Sequence, residues 1–276
     1  MSKRRVACFD IDGTLHRGTR LGHSLGECVA RTCVERGLAP ADSFRRADEL
    51  FEAYDQRRCS FERYSSAFTK RLEDGFFGGM READVCAIAE EIAKREEKRT
   101  YAFTRELLKV VQELGYCTIA ISGSFYGVSV PFAKAWGFEH VYGTEVHADE
   151  NGEYYSEPEH AVVHARDKGG LLRTLVEKYE LTLEHSIAIG DALSDASMLE
   201  VVEHPILFNP DEKLLTNFQS LGLRNPLLII ERRVIYASHA RPVDYEDSRS
   251  RERAVDLPPD VAEALSRHDI HQFVLR

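Results

Sequence analysis

Asp10 and Asp12 stand two residues apart, directly after the apolar run Arg5-Val-Ala-Cys-Phe9, in the segment Asp10-Ile-Asp-Gly-Thr14. On an extended backbone that spacing aims both side chains to one side. Two carboxylates at one spot repel, so they need a shared proton or a cation. A hard cation with oxygen ligands, Mg2+, suits them, because it keeps several waters and binds phosphate oxygens. Gly13 permits a sharp turn right after the pair. Two more apolar runs end in polar residues: Thr118 to Ile121 runs into Ser122-Gly123, and Ser186 to Ile189 runs into Gly190 and then Asp191 and Asp195.

The elements that must position these residues are legible in the hydrophobic pattern. The continuous apolar character of residues 5–9 predicts a strand covered on both faces. Residues 21–97 turn helical, with stripes at Leu25, Cys28, Val29, Thr32 and Cys33, at Leu50, Phe51 and Tyr54, and at Val85, Ile88, Ala89 and Ile92. They read as an insert of roughly four helices. Helix and strand then alternate. Helices are expected over residues 104–114, 128–136 and 169–179. Strands are expected over 116–121, 140–146, 186–189, 205–208 and 227–230. Asn151-Gly152 predicts a tight turn leading into a strand. The alternation predicts an α/β fold, a doubly wound parallel sheet with helices on both faces. In such sheets the ligand crevice lies at the carboxyl ends of the strands, so Asp10/Asp12, Ser122/Gly123 and Asp191/Asp195 are expected to converge there. Beyond residue 240 the chain is charged and poorly periodic, with a helix expected from Pro259 and a short strand at Phe273-Val-Leu.

The chain has 276 residues and a formal net charge of -10. That balance argues against a nucleic-acid partner or a polybasic membrane patch. No apolar run approaches the ~20 residues that span a bilayer, and the basic start leads into a strand rather than a signal-peptide core. A soluble, cytoplasmic protein with no membrane partner is expected. The six cysteines form no CxxC pair and read as buried reduced thiols.

Four segments carry a family resemblance. They are Asp10-Ile-Asp-Gly-Thr14 after its strand, Ser122 at a strand end, Lys168-Gly-Gly before a helix, and Gly190-Asp191-Ala-Leu-Ser-Asp195 after a strand. In that order they resemble the four motifs of the haloacid dehalogenase superfamily of phosphatases, over about residues 5–222. The chain is most similar to the branch that contains phosphoserine phosphatase, through Ser122-Gly-Ser-Phe, Phe132-Ala-Lys-Ala-Trp-Gly-Phe and Asn209-Pro-Asp211. The resemblance implies a Rossmann-like core over residues 1–16 and 98–240 and a helical cap over 17–97. Residues 241–276 form a C-terminal extension.

The resemblance also implies roles. Asp10 is the nucleophile that forms an aspartyl-phosphate, and Asp12 is the general acid and then base. Mg2+ is held by Asp10, the main-chain carbonyl of Asp12, and Asp191. Ser122, the Gly123 N–H and Lys168 neutralise phosphoryl oxygens, Thr14 orients Asp12 at the phosphate site, and Asp195 orients Lys168 or a metal-bound water. The expected reaction is hydrolysis of a small phosphorylated metabolite, with transfer to an alcohol or sugar as the alternative.

Serine phosphate fits poorly. That branch places a Glu shortly after the first motif to meet the substrate amino group. Here the stretch reads His16-Arg-Gly-Thr-Arg-Leu21, and the nearest Glu is Glu27. Arg17 and Arg20 suggest an anionic or larger substrate instead. Arg57 and Arg63, in the cap, are candidates to select the leaving group. Phe61, Tyr64 and Phe68, at i, i+3 and i+7, are read as packing residues.

Overall fold

The computed structural model describes residues 3–19, 23–223, 226–231, 235–239, 257–267 and 274–275. Along the chain β1 (Arg5–Phe9) is followed by α1 (Leu25–Glu35), α2 (Arg45–Asp55), α3 (Phe61–Glu73) and α4 (Glu82–Glu96). Alternation then sets in with α5 (Ala102–Glu113), β2 (Cys117–Phe125), α6 (Tyr126–Ala135), β3 (His140–Val146) and β4 (Ala161–Val162). It continues with α7 (Lys168–Lys178), β5 (Thr182–Gly190), α8 (Ala196–Val201), β6 (His204–Phe208), α9 (Glu212–Asn217), β7 (Leu227–Glu231) and β8 (Ile235–His239). Last come α10 (Pro259–Arg267) and β9 (Val274–Leu275).

The strands form one sheet in the order β4-β3-β2-β1-β5-β6-β7-β8-β9. The six central strands, in the order β3-β2-β1-β5-β6-β7, are parallel to one another, and β4 and β8 flank them antiparallel. The chain therefore winds outward from β1 first through β2 and β3, then crosses back to build β5, β6 and β7. This is the doubly wound α/β arrangement that the alternation implies. The direction reverses at β1, so the crevice for a ligand opens at the carboxyl ends of β1, β2 and β5.

Successive residues of β1 serve opposite faces. Ala7 and Phe9 join the core under α1, α4 and α5, while Val6 and Cys8 join the core under α7 and α8. A strand buried on both sides must be apolar throughout, and β1 is. Within the insert, α1 packs on α4 and α2 on α3, and α4 also packs on α6 of the sheet layer. Among the described residues no helix is long and apolar enough to cross a membrane.

Three expectations need correction. β2 does not stop at Ile121 but runs through Ser122 and Gly123 to Phe125, with a register shift against β3 between Ile121 and Phe125. The irregularity lets the strand continue past the crevice. Around Asn151-Gly152 the chain makes isolated bridges, Ala148 with Tyr154 and Arg81 with Glu153, rather than a regular hairpin. Only Gly152 of the pair has positive φ, 76°, so the turn lacks the geometry that extends strands on both sides. Finally β8, antiparallel to β7, adds a strand that the pattern did not reveal.

In the tail, α10 begins at Pro259 as expected and packs on α5, with Val261 and Leu265 in the core. Asp260 pairs with Arg5 at 2.7 Å. Arg20, residues 241–253 and Phe273 lie outside the described residues.

One long-range cap ties the end of β7 to the start of α5. The Glu231 carboxylate, at the end of β7, accepts the N–H groups of Ala102 and Phe103 at 2.9 and 2.8 Å. These are orphan donors at the start of α5. Glu231→Ala is expected to lower stability by about 1–2 kcal/mol, read as a lower urea midpoint at unchanged slope.

Candidate active site

Asp10 follows β1 directly, and its N–H donates to Ile189 O of β5 at 3.0 Å. The chain then folds tightly: Thr14, Leu15 and His16 all donate their N–H to the Ile11 carbonyl, at 3.3, 2.9 and 2.8 Å. Gly13 makes this turn at φ 89°, and a Cβ there would stand 2.1 Å from Asp191 Oδ2. Both the backbone angle and the approach of Asp191 demand glycine. The turn carries Thr14 away from Asp12. Its hydroxyl donates to Asp191 Oδ1 at 3.0 Å, so Thr14 braces Asp191 and not Asp12, which corrects the expectation from sequence.

Lys168 begins α7. A cation is unfavourable at a helix N-terminus, and Asp167 caps the helix by accepting Gly170 N–H at 2.8 Å. Lys168 turns inward instead and is buried. Its Nζ lies 2.6 Å from Asp10 Oδ1 and 2.6 Å from Asp195 Oδ1. Gly169 allows this approach, because a Cβ there would meet the Ser197 carbonyl at 2.3 Å. The second oxygen of Asp195 accepts the N–H groups of Asp191 and Ala192 at 3.0 and 2.9 Å. With both its oxygens engaged, Asp195 orients Lys168 and closes the turn after β5.

The charges do not balance within this cluster. Asp10, Asp191 and Asp195 present oxygens that all lie within 4.8 Å of one another, facing the single ammonium of Lys168. The Asp10 carboxyl is pushed up to about 7: burial raises it most, Lys168 pulls it down, and Asp195 pushes it up again. Asp191 is raised well above the ordinary value by burial and then by the charges of Asp10 and Asp195. Burial acts to lower the Lys168 pKa, but Asp10 and Asp195 outweigh it and raise it. An all-oxygen cluster short of positive charge fits a hard divalent cation. Since Asp195 is spent on Lys168 and the backbone, Asp10 and Asp191 are the carboxylates placed to hold one.

Asp12 is treated in the opposite way. Its Oδ1 accepts from Leu25 N–H at 2.7 Å and lies 3.0 Å from His16 Nδ1, and its Oδ2 accepts from Ser124 Oγ at 2.5 Å. Burial acts to raise its carboxyl, but His16, then Ser124 and Leu25, outweigh that and hold it below the usual range. Ser124 also accepts Gly26 N–H at 3.1 Å, so the first turn of α1 is fastened over Asp12.

Ser122 and Gly123 lie inside β2, two and three residues beyond the Phe9–Ala120 pair, on the strand next to the one that leads into Asp10. Ser122 Oγ accepts Ser124 N–H at 3.0 Å, and the Gly123 carbonyl accepts from Thr144 Oγ1 at 2.6 Å.

The arginines separate. Arg17 is exposed, with its guanidinium 5.8 Å from the centre of the Tyr101 ring. Burial and then the charge of Asp191 raise the Tyr101 pKa. Arg57 and Arg63 are exposed on the α2–α3 turn and in the first turn of α3. Neither pairs with the cluster among the described residues. The charged centre of the insert is Arg31, which reaches Glu27 at 2.8 Å and Asp48 at 2.9 Å and lies over the rings of Phe44 and Phe68. Glu27 is buried and also accepts from Tyr64. Tyr64 and Phe68 are core residues as expected, whereas Phe61 is 40% exposed.

Sequence reasoning missed His16, Ser124 and Glu231. Ser124 and His16 each had a signal, standing two residues beyond Ser122 and four beyond Asp12, but neither spacing is distinctive.

With this geometry in hand, the haloacid dehalogenase-like hydrolase family matches residues 7–200. The chain belongs to that family. Among its relatives is the phosphoserine phosphatase SerB1 of Mycobacterium tuberculosis, 26% identical over 214 residues, which are 76% of this chain and 66% of that protein. A putative hydrolase of Mycobacterium leprae is equally similar, over 68% of its length. Among solved structures, a protein of unknown function from Bordetella pertussis superposes with a TM-score of 0.58 at 22% identity, covering 81% of this chain and 98% of its own. A phospho-aspartyl intermediate analogue of phosphoserine phosphatase superposes at 0.54 and 17% identity, covering 84% and 95%. These structures share the fold. Within the family the chain is a phosphatase-type hydrolase of the phosphoserine phosphatase-like branch.

The Gly13 approach gives a direct check on the site. Gly13→Ala is expected to destabilise the protein by about 1–3 kcal/mol and to displace Asp191, seen as a lower melting temperature and a moved Asp191 in a crystal structure of the variant.

Proposed function

We propose that the protein is a Mg2+-dependent phosphomonoester hydrolase that acts on a small phosphorylated metabolite through an aspartyl-phosphate on Asp10. The observation that carries this reading is Lys168 Nζ, 2.6 Å from both Asp10 and Asp195 at the crevice where Asp191 also converges. A core over residues 1–16 and 98–240 carries the chemistry. The helices between residues 17 and 97 act as its cap.

In the first half-reaction an Asp10 oxygen bonds to phosphorus as the bond from phosphorus to the leaving oxygen breaks. Asp12 gives its proton to that oxygen. In the second half-reaction Asp12 takes a proton from water, the water oxygen bonds to phosphorus, and the bond to Asp10 breaks, releasing inorganic phosphate. The donors around Asp12 favour its carboxylate, the form needed in the second half. A phosphate dianion entering the crevice adds negative charge beside it and favours the protonated form needed in the first. Lys168, Ser122 and the Gly123 N–H bind phosphoryl oxygens, and Thr14 acts through Asp191. Mg2+, held by Asp10, Asp191 and the Asp12 carbonyl, would offset the repulsion between the phosphate and the acids.

The substrate class is narrowed by the insert. Glu27 is engaged by Arg31 and Tyr64, so it does not offer a carboxylate to a substrate ammonium. Arg17 at the rim favours an anionic group beyond the phosphate. With Glu27 engaged, the ammonium of phosphoserine, the substrate that the relatives' names give, would lack that partner, which disfavours it here.

A metabolite panel with Mg2+ tests the reading. Phosphate release is expected from one or a few anionic phosphomonoesters, lost with chelator and reduced at least ~10^3-fold by Asp10→Asn. Unchanged turnover in that variant would remove Asp10 as nucleophile. A second expectation concerns pH. The folded, metal-free protein keeps a proton on Asp10 between about pH 4 and about pH 7, where the unfolded chain has lost it, so its stability falls as pH rises through that window. Mg2+ takes the place of that proton. The rise in melting temperature on adding Mg2+ should therefore be larger near pH 8 than near pH 5.

A further inference from the structure

His16 is fully buried, yet it lies in neither an apolar stripe nor any of the family segments. Its Nδ1 stands 3.0 Å from Asp12 Oδ1. An ionised carboxylate only accepts hydrogen bonds, so the ring carries its proton on Nδ1 and donates it to Asp12. The edge of the ring meets Phe132, centroid to centroid at 5.5 Å, which limits its rotation. Its Nε2 has no hydrogen-bond partner and faces the Glu96 carboxylate at 3.7 Å. Glu96 sits at the end of α4 and is neutralised by Arg95 and Arg99.

The backbone around His16 is equally constrained. Gly13 N–H donates to the His16 carbonyl at 2.8 Å, Tyr101 N–H donates to the Leu15 carbonyl at 3.0 Å, and Arg17 N–H donates to the Arg99 carbonyl at 3.0 Å. His16 and Thr100 form an antiparallel bridge. This is where the chain leaves the sheet for the insert and where it returns. The imidazole thus stands between the proton-bearing acid and the last turn of the insert.

We propose that His16 is a positioning residue, holding the Asp12 carboxylate in the orientation from which it hands a proton to the leaving oxygen. The proposal rests on the reading of Asp12 as general acid. Three donors hold Asp12, and each comes from a different place: Leu25 from α1, Ser124 from β2, and His16 from the crossing of the two strands. Without the ring, Oδ1 keeps only the Leu25 N–H and Oδ2 only the Ser124 hydroxyl, so the carboxylate is held less firmly in its orientation. A histidine that merely filled space at this point would have no reason to put a donor nitrogen on the acid while leaving its other nitrogen unbonded.

Steady-state kinetics on two substrates test this. p-Nitrophenyl phosphate has a leaving group that needs no proton, whereas 2-glycerol phosphate has one that does. His16→Ala is expected to lower kcat for 2-glycerol phosphate on the order of 10^2-fold, within the range that a general acid contributes. The fall for p-nitrophenyl phosphate should be only a few-fold (roughly within the context-dependence of a single hydrogen bond), with KM for both nearly unchanged. His16→Asn, whose amide nitrogen can stand near the Nδ1 position, should recover most of the loss, and His16→Gln, which mimics Nε2, should not. Retained p-nitrophenyl phosphate activity shows that the variants fold. Equal losses on both substrates, no loss, or rescue by Gln as good as by Asn would overturn the proposal. Asp12→Asn, measured beside them, separates the two failures. If it discriminates between the substrates and His16→Ala does not, Asp12 keeps its role and His16 loses the one proposed; if it does not discriminate, both fall.

Discussion

The arrangement on which the molecule depends is an ammonium buried between two carboxylates. Lys168 Nζ at 2.6 Å from Asp10 and from Asp195 joins the end of β1, the start of α7 and the turn after β5. Desolvating three charges is expensive, and removing one partner of such a set typically costs about 3–5 kcal/mol. The arrangement persists because each member is held from outside the trio. Asp195 is fixed by two backbone N–H groups, Asp10 by a backbone bond to β5, and Lys168 by the close fit of Gly169 against Ser197. The lysine does nothing for the helix that bears it, whose N-terminus is capped by Asp167.

Around this trio two acids, two residues apart, are pushed in opposite directions. Asp10 is left with little besides Lys168 to offset its burial and is pushed up. Asp12 receives three donors and is held down. Environments that drive neighbouring carboxyls apart are how one site assigns different tasks to like groups. The doubly wound topology makes this possible. Asp10 leaves β1 on the side of β5 and α7, where the lysine and the other acids are. Asp12 turns toward β2 and α1, where hydroxyl and amide donors are. The two side chains part, rather than pointing to one side as on an extended strand, because the chain turns between them, where the Ile11 carbonyl accepts the N–H groups of Thr14, Leu15 and His16.

Much of this was legible in the sequence, because the groups that do the chemistry sit where apolar runs end. The parallel sheet, the helical insert, Asp10, Asp12, Asp191 and Asp195 follow from strand patterns broken by polar residues, whereas Lys168, at the start of a helix, is singled out only by the family resemblance. Partners were harder to see. The resemblance implies that Thr14 orients Asp12, but the tight turn with a positive φ at Gly13 sends its hydroxyl to Asp191 instead. β2 was ended at Ile121 because Ser-Gly-Ser reads as a turn, whereas a register shift lets the strand pass through. Arg57 and Arg63 are candidates only by their position in the insert, and the arginine that organises the insert is Arg31, whose partners lie 4 and 17 residues away on two helices. His16 and Glu231 act across contacts that no local periodicity reports.

The central claim is that Asp10 carries the phosphoryl group, and direct trapping of that group tests it most closely. The protein would be mixed with Mg2+ and a substrate it turns over, quenched in acid within a single turnover, digested, and its peptides weighed. The account predicts one added phosphoryl group on the peptide that contains Asp10, located to that residue by fragmentation. A phosphoryl group on any other side chain, or full product formation in the first turnover with Asp10 never modified, would contradict it.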